Sequence, residues 1–446
     1  MTTIKYELNY FPALKLFLWF TLISINLRAF AQIPIALFEI MLWGYLLTLA
    51  LIYISSISYK EKIFNSQSYI FILFITYLAL HFISTYIIRV NAADLEFYNV
   101  LFLHFYELQL SIVVYFLALI FIPCAKKVNE IEGLLLLLLK ISIVYTIIEF
   151  IISHLGFRFI YEWLNNHSLS FHAEPDHVIG GRGTRLGFWR PLGLTGGTQI
   201  LGILHIISTI YMVKYKQLIW AALSILALIF TTSFTAYLVF SILATIYLFY
   251  NKQYLLLSLF VFTGLSIILA GVIRYEYITL YVNDDDYTRL DRGLDSIYGF
   301  FLLFNNTLDP TTYYYVNDGP FEIVTKYFKN NPLELLLGTG LSYFNQGFLM
   351  NLNSDYANQF AYLTSDFHFL SYFYEYGIVG SLLLLSVFLI IPLYRINKTN
   401  QFDAYILMAF AFSTAHYPIH TTKVCFIYIA FSIFKFYLYT DKNEKY

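Results

Sequence analysis

Three arginines, Arg182, Arg185 and Arg190, stand among seven glycines between Gly180 and Gly197. A guanidinium keeps its charge at any physiological pH, and its planar fork matches phosphate oxygens two at a time. Glycine lets the backbone approach a ligand closely and take up positive φ. Together they suit an anionic headgroup or a pyrophosphate. A helix starting near Thr198 would turn its free N–H groups toward the same anion. Arginines flanking apolar spans also anchor loops to lipid phosphates, which is the plainer reading of the same residues.

A second group lies in the polar, Tyr- and Asn-rich stretch from Arg274 to Tyr376. It opens on Asp284, Asp285, Asp286, Arg289, Asp291 and Arg292, with Arg289 and Arg292 on one face if the segment is helical. It closes on Leu337-Gly338-Thr339-Gly340, then Asp366-Phe367-His368-Phe369, then Glu375-Tyr376-Gly377-Ile378-Val379-Gly380. Histidine titrates near neutral pH and can move a proton there. Asp366 would orient His368 or serve as the base itself; a purely structural histidine is the alternative. The acidic triplet satisfies the D-x-D pattern that holds divalent ions in many glycosyltransferases. Any three consecutive acids do so, and a solvated acidic turn accounts for them as well.

The elements that must position these groups are membrane helices. Hydrophobic residues make up 59% of the 446, charged residues only 12%, and the mean hydropathy is +0.65, against roughly 25% charged in a soluble domain. The expected fold is an all-α polytopic membrane protein. Its formal net charge of −1 gives no footing for nucleic-acid binding. Cys124 and Cys425 fall at or inside apolar runs, far apart, and read as packing residues.

Apolar runs of roughly membrane-crossing length fall near 11–27, 33–56, 68–88, 108–124, 133–153, 197–213, 217–233, 235–250, 254–273, 377–394, 404–420 and 423–440, or about 12 spans. With the N-terminus inside, each inner loop is basic: Lys60 and Lys62, Lys126 and Lys127, Lys214 and Lys216, Lys252, Arg395 and Lys398, then Lys442 and Lys445 at an inner C-terminus. The outer segments include a tight turn at Thr232, an Arg/Gly-rich loop at 154–196 and the large loop at 274–376. No signal-peptide cleavage pattern follows Lys5 and Lys15, so the first span reads as retained. The inner loops are too short for a folded core and hold no phosphate-binding G-x-x-x-x-G-K-[ST] motif. Glu39, His81, Lys140, Glu149 and His205 fall inside spans, where charge must face the bundle interior, line a cavity or snorkel. They keep an ion-coupled transporter open as a reading.

This layout resembles the O-antigen polymerase and O-antigen ligase superfamily. The likeness lies in about 12 spans, an outer Arg/Gly loop before the sixth, and a large outer loop between the ninth and tenth that closes on Gly-Thr-Gly, a histidine and Glu-x-Gly-Ile-x-Gly. In the polymerases an arginine and a glycine separated by ten residues recur in the outer loops; Arg182 with Gly193, and Arg185 with Gly196, fit. Neither Arg289 nor Arg292 has glycine at the matching position. In the ligases a histidine just before the tenth span is usually followed by asparagine; His368 takes that place with Phe369 after it.

The resemblance implies a metal-independent, cofactor-free glycosyltransferase of the multi-span GT-C-like class in a bacterial inner membrane. Its donor would be undecaprenyl-pyrophosphate-linked glycan, and its protein partners a flippase and a chain-length regulator. Arg182, Arg185, Arg190, Arg289 and Arg292 map onto pyrophosphate binding, and His368 and Asp366 onto deprotonation of the acceptor. Tyr313, Tyr314, Tyr315 and Trp189 would offer faces and hydroxyls to sugars. The missing His-Asn pair favours polymerase over ligase. A flippase or transporter would instead depend on Lys140 and Glu149, and the internal symmetry common in such folds is not visible.

Overall fold

The computed structural model describes residues 127–155, 184–185, 188–191, 193, 198–264, 266, 332–338, 368–396, 401–414 and 423–438, and isolated positions at 12, 14–16, 18–19, 73, 76–77, 80 and 121. Apart from one short hairpin, these residues are almost entirely helical. In chain order the helices are α1 (Val128–His154), α2 (Thr198–Lys214), α3 (Leu218–Phe230), α4 (Phe234–Tyr250), α5 (Tyr254–Gly264), α6 (Pro332–Leu337), α7 (His368–Leu385), α8 (Ile391–Arg395), α9 (Gln401–Thr414) and α10 (Lys423–Ile433). The hairpin pairs β1 (Thr184–Arg185) with β2 (Phe188–Trp189), antiparallel, with Thr184 opposite Trp189 and Arg185 opposite Phe188. Where they are described, the apolar runs predicted from residue 133 onward fall on these helices and on the π segments that continue them; the ends of the runs 254–273, 404–420 and 423–440 lie outside the described residues. The first four predicted spans lie outside the described residues except at the isolated positions.

Among the described residues, two helices are long and apolar enough to cross a membrane, Val128–His154 and Tyr376–Arg395. On α1 the residues Leu137, Ile141, Val144, Ile148 and Ile151 are all exposed, while Ile131, Leu135, Leu139 and Ile143 are buried. The exposed set recurs at helical spacing, so one apolar stripe packs inward and a second faces out. α9 is different: from Ala404 to Ala411 every residue is buried, as a helix apolar on all sides must be. It forms the centre of a core to which α1, α2, α3, α4 and α10 contribute.

Close approach within the bundle depends on small residues. A Cβ on Gly202 of α2 would come within 2.5 Å of the Ala236 Cβ on α4, so these backbones meet only because neither side chain is larger. Between α7 and α8 the helix widens to π geometry over Ser386–Ile390. Pro392 follows and lacks the N–H a regular helix would direct at the Phe388 carbonyl. A second π segment, Phe434–Leu438, continues α10, and its Tyr437 hydroxyl donates to the Val387 carbonyl at 2.5 Å.

The helices alternate in direction. The start of α1, the end of α2, the start of α9 and the segment after α10 meet at Glu132, Lys214, Asp403 and Lys435. Tyr247 near the end of α4 meets Tyr405, and Arg395 at the end of α8 lies 5.3 Å from the Phe436 ring. Lys127, Lys216 and Lys252 adjoin these ends, so the described basic residues predicted to share one side do share one end of the bundle. Glu149 lies toward the other end of α1, roughly 26 Å away at about 1.5 Å per residue.

Candidate functional site

At the Glu149 end, the tail of the Arg/Gly loop is tied to the helices at two points. The Gly193 N–H donates to Glu149 Oε2 at 2.8 Å. Gly193 has φ +60, and a Cβ there would lie 2.3 Å from Leu201 Cδ1 on α2. Both the backbone angle and the space therefore call for glycine. Three residues earlier, the Arg190 Nε donates to the Thr231 carbonyl at 3.2 Å. Thr231 belongs to the tight turn joining α3 to α4, where Thr232 has φ 46 and Ser233 caps α4 by accepting from the Ala236 N–H at 3.4 Å. Phe150 of α1 stacks on Phe230 of α3, ring centroids 3.8 Å apart. That contact holds the two anchor points beside one another, and β2 lies against α1.

The backbone of Arg185 sits in the hairpin opposite Phe188. Arg182, Arg289, Arg292 and Asp366 lie outside the described residues, as do Asp284, Asp285, Asp286, Tyr313, Tyr314 and Tyr315.

His368 is the first residue of α7, at the same end of the bundle as Glu149. α7 is two helices in one: Gly377, with φ 63 and ψ −173, breaks it in a region of backbone space open essentially to glycine alone. His368 thus rides on a short segment ending at Tyr376, where the helix long enough to cross a membrane begins. The break is packed tightly. A Cβ on Gly377 would come within 2.4 Å of the Gly338 nitrogen and 2.5 Å of the Leu336 carbonyl oxygen. The Leu-Gly-Thr-Gly and Glu-Tyr-Gly-Ile motifs, separate in sequence, therefore meet at these glycines. Tyr77 closes the junction: its hydroxyl lies 2.7 Å from the Leu337 carbonyl oxygen and also bonds the Tyr376 carbonyl.

Three of the ionisable residues predicted to lie within spans are described, and each has a structural partner. His205 Nε2 meets Thr146 Oγ1 at 3.0 Å, while its carbonyl accepts from Thr209 and Ser224 at 2.9 and 2.8 Å. Lys140 Nζ lies 5.1 Å from the centre of the Trp220 ring, and Glu149 holds the loop. Glu39 and His81 lie outside the described residues.

Sequence reasoning missed the charge cluster at the opposite end. Glu132 Oε1 accepts from Lys214 at 2.7 Å and from Lys435, and Oε2 accepts from the Tyr215 hydroxyl. Lys435 also faces Asp403 Oδ2 at 3.7 Å. Burial, together with the Glu132 carboxylate, pushes the Tyr215 phenol well above its ordinary range, so it stays protonated and donates. Lys214 was legible as an inner-loop basic residue. Its partners were not: Glu132 and Asp403 sit just before apolar runs like ordinary flanking charges, and Lys435 lies alone inside the run 423–440. Comparison of the chain with protein-family models, with curated proteins and with solved structures finds no match in any of the three.

Proposed function

We propose that this chain is a polytopic inner-membrane glycosyltransferase of about 12 spans that polymerises undecaprenyl-pyrophosphate-linked oligosaccharide repeat units on the outer membrane face. The exposed apolar stripe of α1 would face lipid. The basic end of the bundle would face the cytoplasm, with both termini on that side, which puts the Arg/Gly loop and the His368 segment outside. The observation that carries the reading is Gly193: the glycine of the arginine–glycine spacing has a positive φ with the Leu201 side chain packed against it, and its N–H is held by Glu149. That frame would hold the preceding arginines at the membrane surface, where a lipid-linked pyrophosphate is presented.

In the reaction, an acceptor sugar hydroxyl attacks the anomeric carbon of the donor glycan. The new C–O bond forms as the bond from that carbon to the pyrophosphate oxygen breaks, and undecaprenyl pyrophosphate leaves with the bonding pair. Arg182, Arg185 and Arg190, with Arg289 and Arg292, would supply positive charge to the developing pyrophosphate. His368 or Asp366 would take the acceptor's proton. Arg190 already donates to the Thr231 carbonyl, so its contribution includes holding the loop. Donor and acceptor glycans share the same lipid-linked chemistry, and a flippase would supply them.

The ion-coupled reading has less support. Glu149, one of the two residues it most needs, is an acceptor for loop backbone, and Lys140 lies over Trp220.

Surface-glycan profiling tests the proposal. Cells lacking the chain should carry single repeat units on the lipid A core, and wild type should restore the ladder where Arg182→Ala and His368→Ala do not. A bare core, with polymer retained on the lipid carrier, would identify a ligase; an unchanged ladder would refute both.

A further inference from the structure

A helix that stops leaves its last carbonyls without intrahelical partners. The first half of α7 stops at Tyr376 because Gly377 turns away, and α6 stops at Leu337 before Gly338, with φ 88. Both terminal carbonyls point at one side chain. The Tyr77 hydroxyl is within hydrogen-bond reach of Leu337 O, at 2.7 Å, and of Tyr376 O, and so shares its proton between two helix ends. Gly380, one turn into the next helix, lets the Tyr77 ring in: a Cβ there would lie 2.3 Å from Tyr77 Cε1. Three elements far apart in sequence are fixed at this one point.

We infer that Tyr77 is a positioning residue for His368. By bridging the carbonyl ends of α6 and of the first half of α7, it sets where the His368 segment stands relative to the membrane helix and to α6. Only the catalytic consequence rests on the proposed polymerase activity; the joint itself does not. Nothing in the sequence marks Tyr77 out among the 41 tyrosines. The hydroxyl is the active part: Tyr77→Phe keeps the ring against Gly380 and removes the hydroxyl's bonds to the two carbonyls and to the Gly380 backbone. Displacing a reacting group by an ångström costs on the order of 100-fold in rate. A loosened rather than displaced segment should therefore cost about tenfold.

The test uses the full chain in lipid nanodiscs with isotope-labelled histidine, the His368 signal being identified by its loss in His368→Ala. Tyr77→Phe should shift the His368 imidazole resonance and leave that of His205, buried against Thr146, in place. Gly380→Ala, which pushes on the same ring, should shift it too. In cells at matched membrane levels, Tyr77→Phe should slow chain elongation about tenfold. An unmoved His368 resonance in both variants overturns the inference. A moved resonance supports it even if His368→Ala still builds full-length polymer, a result that would count against His368 as the base and not against Tyr77.

Discussion

Replacing Glu132 should loosen the bundle at the end away from the loops. Its carboxylate accepts from Lys214, Lys435 and Tyr215, and with Asp403 it balances two ammoniums with two carboxylates. At 2.7 Å and an effective dielectric of about 20, the Lys214 pair alone attracts by about 6 kcal/mol, most of it offset by the cost of taking both groups out of water. Removing one member of a buried pair typically costs about 3–5 kcal/mol, because the other is left uncompensated. Lys435 keeps Asp403 at 3.7 Å. The Lys214 side chain is 20% exposed and can swing its ammonium toward water. Both relieve the penalty, so Glu132→Ala should fall near the lower figure, about 3 kcal/mol.

The assay is thermal denaturation of the detergent-solubilised protein, followed by size-exclusion fluorescence, for Glu132→Ala, Lys435→Met and the pair together. Removing both charges should cost less than the sum of the single changes, by about 1–3 kcal/mol. Strict additivity, or a Glu132→Ala protein as stable as wild type, would refute the cluster as a balanced unit. Because the cluster sits roughly 26 Å from Glu149 along α1, polymer length at permissive temperature should change little.

The loop end makes its own predictions. Gly193→Ala forces a side chain into positive φ against Leu201 and should reduce polymer formation about tenfold or more at normal membrane abundance, for about 1–3 kcal/mol of local strain; the glycan ladder and an immunoblot check it. Glu149→Gln keeps an acceptor oxygen for the Gly193 N–H and should retain the ladder, whereas Glu149→Ala should lose it. An ion-coupled transporter would require the ionised carboxylate and fail with Gln. Gly202→Leu overpacks the α2–α4 contact and should lower the denaturation midpoint, consistent with about 1–3 kcal/mol.

The helices were legible because a long apolar run has few alternatives to a helix once it is removed from water, and the alternation of basic ends was legible in Lys127, Lys216, Lys252 and Arg395. The beginning of α7 was not. His368 to Tyr376 mixes Tyr, Phe, Ser and Glu without an apolar run, so the sequence placed only the membrane portion, from Gly377, on a helix. Gly377 was read as the start of an apolar run, in agreement with the apolar helix Tyr376–Arg395, though not as a break inside a longer helix. Gly193 was found through its spacing from Arg182, but its partner Glu149 read as a candidate ion carrier, since an intramembrane carboxylate looks the same whether it carries a proton or accepts from a loop. Tyr77 and Glu132 escaped because their meaning lies in partners 82 to 303 residues away.

In the proposed reaction, arginines on a glycine-framed outer loop, with a base beside the membrane, would extend a lipid-linked glycan without nucleotide or metal. Purified protein in proteoliposomes, given undecaprenyl-pyrophosphate-linked repeat units in EDTA and no ATP, puts this to the test. A ladder of lipid-linked polymer should form with release of undecaprenyl pyrophosphate, and Arg182→Ala should abolish it. Absence of any glycan transfer by folded wild-type protein, or a ladder undiminished by Arg182→Ala and His368→Ala together, would contradict the proposed reaction.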